Sequence, residues 1–71
     1  MTIRVIYKKK DGIINTMHYY NIDHISIVRG DNGILNIKLT SITGHVLNAI
    51  ELTDEIECAT MEDNHFLWSL K

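Results

Sequence analysis

The chain has a single cysteine, no proline, only two alanines and only four glycines among its 71 residues. One thiol, Cys58, cannot close an internal disulfide, so the framework of small secreted domains is excluded. The absence of proline excludes polyproline linkers and collagen-like repeats, and the scarcity of alanine argues against long helices and coiled coils. Long hydrophobic runs are also missing. The longest uninterrupted ones are Val5-Ile6-Tyr7 and Phe66-Leu67-Trp68, far short of the ~20 apolar residues a membrane span needs. Lys8-Lys9-Lys10 is followed by Asp11, Asn15 and His18, not by the apolar stretch of a secretory signal. The expected setting is therefore soluble and intracellular, in the cytoplasm, without a membrane.

What the chain does have is β-branched residues. Twelve Ile, three Val and six Thr occupy 21 of the 71 positions. Hydrophobic residues make up 45% and charged residues 23%, the balance of an ordinary globular chain. The length fits one small domain over residues 1–71. A core of that size seldom supplies more than ~3–5 kcal/mol without a disulfide, a metal or self-association. With disulfides excluded and metal ligands poorly spaced, self-association is the remaining device.

Turn signals recur at short intervals, as in all-β chains: Asp11-Gly12, Gly30-Asp31-Asn32-Gly33, Ser41-Ile42-Thr43-Gly44 and Glu62-Asp63-Asn64. Gly12, Gly33 and Gly44 are placed to take the positive φ of tight hairpins, and Asn32-Gly33 is the strongest such pair. Between the turns, apolar residues alternate with period two, as in Ile3, Val5, Tyr7 and in Leu35, Ile37, Leu39. Strands are expected at 2–9, 13–20, 23–29, 33–40, 45–52 and 65–70. Residues 53–63 read either as a strand, with Ile56, Cys58 and Thr60 on one side, or as a short helix capped by Thr53. The strand is preferred; the helix, over 53–62, would make the class α+β.

The expected fold is thus all-β, a small antiparallel meander of six or seven short strands. Several strands are apolar on both faces. The 13–20 segment carries Ile13, Met17 and Tyr19 against Ile14 and Tyr20, and the 45–52 segment Val46, Ile50 and Leu52 against Leu47 and Ala49. A sheet with one solvated face alternates more cleanly. Either the sheet closes into a barrel, or a second molecule covers its outer face. In the terminal segment Phe66, Trp68 and Leu70 share a face while Leu67 points away. Ile6, Ile14, Leu67 and Trp68 are the candidate protein-interface residues.

Candidate chemistry is sparse. His18, His24, His45 and His65 lie 6, 21 and 20 residues apart, without the local ligand pairs of a structural zinc site. Cys58 sits beside Glu57, which disfavours a thiolate, and reads better as a small buried thiol on an inward strand position. Gly30-Asp31-Asn32-Gly33 lacks the Lys-Ser/Thr of a phosphate-binding loop. No catalytic, cofactor or metal residue is assigned, and an enzyme is not expected.

Charge is uneven along the chain. Residues 1–40 carry six bases against three acids, and residues 41–71 one base against six acids, for a net −2. The basic hairpin of Arg4, Lys8, Lys9 and Lys10, with Tyr7, Tyr19 and Tyr20 near it, is the best nucleic-acid candidate, in the manner of small β-barrels that bind single strands. The net negative charge weighs against it. The sequence therefore points to a non-enzymatic protein-binding or assembly module acting as a homo-oligomer. Its Ile-, Asn- and Lys-rich composition would suit an accessory protein of a bacterium or its phage. A small nucleic-acid-binding regulator is the alternative.

Overall fold

A computed structural model describes residues 1–70. Seven strands follow one another: β1 (Ile3–Lys9), β2 (Ile14–Tyr19), β3 (Ile22–Arg29), β4 (Leu35–Ser41), β5 (Val46–Glu51), β6 (Ile56–Glu62) and β7 (Leu67–Ser69). The fold is all-β and antiparallel. The segment at 53–63 contains strand β6 and not the alternative helix. The sheet does not close into a barrel. It divides into a four-stranded sheet of order β2-β1-β6-β7 and a three-stranded sheet of order β3-β4-β5.

The inner faces of the two sheets share one core: Ile3 and Val5 of β1, Ile22 of β3, Ile37 and Leu39 of β4, Ala49 and Ile50 of β5, and Ile56, Ala59 and Met61 of β6. Tyr7, Tyr19, Ile25, Leu52, Trp68 and Leu70 pack around it, partly buried. Every strand pairing is a sequence-local hairpin except β1 with β6. Asn21, at φ +57°, turns the chain from β2 into β3 and so from one sheet to the other. An Asn tolerates this left-handed conformation better than most residues. Met1 and Ile22 exchange two hydrogen bonds, of 2.7 and 2.9 Å, across the same corner.

Three hairpins share one construction. In each, the residue opening the turn donates to the carbonyl four residues on, and a glycine N–H donates back to the opening residue: Lys9 with Gly12 and Ile13, Gly30 with Gly33 and Ile34, Ser41 with Gly44 and His45. This is the three-residue loop in which a type I turn is followed by a left-handed residue. Gly12, Gly33 and Gly44 fill that place with φ of +94°, +81° and +90°. Asn32 contributes its side chain, accepting the Ile34 N–H at 3.0 Å, as Asp11 accepts that of Ile13. The Asn-Gly pair thus acts in a three-residue loop and not in a two-residue turn.

Candidate protein interface

β-Bulges decide which side chains reach the surface. In β3 the register steps from Ile22↔Ser41 to His24↔Thr40, leaving Asp23 as the extra residue. In β5 it steps from Ile37↔Ile50 to Lys38↔Asn48, leaving Ala49 extra. In β6 it steps from Lys8↔Cys58 to Lys9↔Ile56, leaving Glu57 extra. A bulge shifts the phase of the alternation by one residue. It lets Ala49 and Ile50, adjacent in sequence, both be buried.

The same device corrects the expected facing of β6. Ile56, Ala59 and Met61 point inward, whereas Cys58 and Thr60 point outward. Cys58 is an exposed free thiol and not a buried one. Lys8 stands opposite it in the ladder.

Direct cross-strand partners share a face, so the outer surface of the four-stranded sheet can be mapped from its register. One row reads His18, Arg4, Glu62, Leu67; the next Thr16, Ile6, Thr60, Ser69; the third Ile14, Lys8, Cys58. Three of the expected interface residues therefore lie on one face: Ile6 near its centre, Ile14 and Leu67 at opposite corners. Trp68 does not join them. It faces inward opposite Met61, packs against the core and lies 5.8 Å from the Phe66 ring, centroid to centroid.

Trp68 belongs instead to a second apolar surface, on the open side of the sandwich where edge strands β3 and β7 approach each other. A groove of about 400 Å³ there is lined by Met1, Ile25, Ile27, Met61, Phe66 and Trp68, with His24 and Asp63 beside them. The Asp63 carboxylate accepts the backbone N–H groups of His65 and Phe66 at 2.7 and 2.8 Å. These two bonds hold its carboxyl below its ordinary range. Phe66 was expected to share a face with Trp68 and Leu70; Ile27 was not singled out by sequence. Ile27 stands opposite the buried Ile37 of β4 and is itself exposed, which its place on an edge strand, and not its local sequence, shows.

The basic candidates are partly matched by acids. Arg4 is paired with Glu62, and Lys8 with Glu57 at 3.3 Å. Lys9 and Lys10 line a shallow cleft together with Asp11, Asp54 and Glu55. Two ion pairs thus join the basic β1 to the acidic β6. The three tyrosines do not gather on one exposed surface beside the lysines, although Tyr7, half-buried, lines a groove with Lys9. Tyr7 and Tyr19 face the core, where burial first, and Tyr7 next to it, raise the Tyr19 phenol above its ordinary pKa. Tyr20 is exposed, but at the far end of β2 from the lysine turn.

Among the described residues, no three His, Cys, Asp or Glu side chains gather as metal ligands could, and no helix is long and apolar enough to cross a membrane. No protein-family model, no curated protein and no solved structure matches the chain.

Proposed function

We propose that this chain is a non-enzymatic binding and assembly module that works as a homo-oligomer. The observation that carries this reading is the apolar surface left uncovered. Among the described residues, twelve large hydrophobic ones are exposed, against ten in the buried core. Scattered exposed apolar residues are ordinary, but contiguous ones mark interaction surfaces. Here they gather along β2 and its flanks (Ile13, Ile14, Met17, Tyr20) and beside the β3–β7 groove (Met1, Ile27, Phe66).

Sedimentation of the purified protein over a wide concentration range tests the reading. Reversible association is expected; a monomer at every concentration overturns the assembly claim. The nucleic-acid alternative makes a separate prediction, retention on single-stranded DNA that falls steeply with salt. The pairing of Arg4 and Lys8 with carboxylates supports the opposite result, no retention at physiological salt.

A further inference from the structure

The bulge of β5 accounts for Ala49 and Ile50, which are both buried, while Val46 and Leu47 of that strand stay exposed. No bulge accounts for the two-faced apolar pattern of β2. Its register against β1 runs unbroken from Ile3↔Tyr19 to Lys8↔Ile14, so Ile14 and Met17 lie on opposite faces, and both are exposed. β2 is also the edge of its sheet. The four edge strands differ in how they are guarded. β7 has only three residues. β3 carries Asp23 and Arg29 as well as a bulge, and β5 carries Glu51 and a bulge. Short length, charge and bulges all discourage edge pairing. β2, with the sequence Ile-Asn-Thr-Met-His-Tyr, has no Lys, Arg, Asp, Glu, Gly or Pro and no bulge.

We infer that β2 pairs antiparallel with β2 of a second copy across a two-fold axis beside Met17. This rests on the assembly reading and specifies its surface. The hairpin closure fixes which backbone groups are offered. Lys9 and Ile13 form a bonded pair, and bonded pairs recur at every second residue of an antiparallel ladder. Asn15, Met17 and Tyr19 therefore bond inward to β1, and Ile14, Thr16 and His18 turn their N–H and C=O groups outward. A two-fold at Met17 sets Thr16 against His18 of the second copy as bonded pairs. It places Ile14 against the second copy's Tyr20, and Met17 against itself in a non-bonded pair.

Charge and area both fit a second copy as the occupant. An isologous interface brings the same edge of both copies together, so an edge of one charge sign would repel its copy, and β2 has no acid or base other than His18. Ile13, Ile14, Met17 and Tyr20 are 53%, 63%, 43% and 66% exposed. At ~200 Å² for a large side chain, they offer about 450 Å², over half of the ~800 Å² per partner of a standard interface. The paired backbone edges supply more.

The test is site-specific cross-linking. In a Cys58→Ser background, Met17→Cys places two thiols at a non-bonded cross-strand pair, where Cα atoms are ~4.5 Å apart and within disulfide reach. Mild oxidation is expected to give at least ~10-fold more covalent dimer than Ile14→Cys, whose symmetry mate is six residues of register away, ~20 Å. Should Met17→Cys fail to fold, Ile14→Lys decides. It places a charge at an already exposed position, and because it acts twice in the interface it should raise the dimer dissociation constant at least ~100-fold. A wild type that associates, with neither effect present, overturns the β2 interface and leaves the assembly reading standing. A wild type that is monomeric throughout overturns both.

Discussion

β2 and β6 flank the same strand, β1, and both run antiparallel to it, yet they meet the demands of burial differently. β6 lies inside the sheet. Its bulge at Glu57 turns Ile56, Ala59 and Met61 into the core and brings the Glu57 carboxylate to Lys8, and its last residue, Glu62, pairs with Arg4. β2 lies at the edge, regular, nearly uncharged and apolar on both faces. The comparison teaches that the non-local β1–β6 pairing, among the described residues, carries both ion pairs of opposite charge and a bulge, and that β2 has neither device on its free edge. Their absence leaves β2 able to pair outside the molecule.

The largest expected effect comes from breaking the inner strand. Met61 is fully buried, and Met61→Ala should cost ~2–5 kcal/mol, enough to unfold much of a domain this small. The matching change on the edge strand, Ile14→Ala, should cost under ~0.5 kcal/mol in dilute monomer, because Ile14 is already exposed. Denaturant midpoints of the two variants measure the contrast directly; equal losses would abolish it.

Next in size are the turns that set both registers. Gly33 has open space around a would-be Cβ, so Gly33→Ala tests backbone conformation. At φ +81° it should lose ~1–3 kcal/mol. An unchanged midpoint would remove the left-handed turn from the account. Gly12→Ala should act in the same sense at the β1–β2 hairpin, with φ +94°.

How far the sequence carried these elements depends on whether each signal was local. The glycine turns and six strands follow from neighbouring residues, and so does the strand preference at 53–63. The bulges do not. In β6 a strict two-residue alternation puts Cys58 on the same face as Ile56, and only the pairing with β1 reveals that Glu57 is extra. Of the two solutions offered for two-faced strands, barrel closure is replaced by division into two sheets, and re-phasing by a bulge buries both Ala49 and Ile50 in β5; a covering molecule is the reading proposed for β2. Of the interface residues, Ile6, Ile14 and Leu67 share a face as alternation implied. Trp68 was drawn in by its residue type, and its inward facing assigns it to the groove.

A smaller effect sharpens the β6–β7 end of the comparison. Asp63 has its carboxyl pKa lowered by the His65 and Phe66 N–H groups. A group with a depressed folded pKa contributes stability above its unfolded value, and that contribution is lost as pH falls through the folded value. The turn should therefore loosen below the ordinary carboxylate value of 3.8, and Asp63→Asn should flatten that part of the pH profile. Trp68 fluorescence reports it, and an identical acid profile for the variant would contradict the assignment. Smallest is the Arg4–Glu62 pair, which is substantially solvent-exposed. A double-mutant cycle with Arg4→Ala and Glu62→Ala should return a coupling of ~0.2–1 kcal/mol that shrinks with salt.

The most direct measurement of the contrast between the two strands is amide hydrogen exchange by NMR at low and high protein concentration. The β6 amides should be protected equally at both. The outward amides of Thr16 and His18 should exchange rapidly in dilute protein and become protected as concentration rises, while Met17, bonded to β1, changes little. Thr16 and His18 amides that exchange rapidly at every concentration would contradict the account.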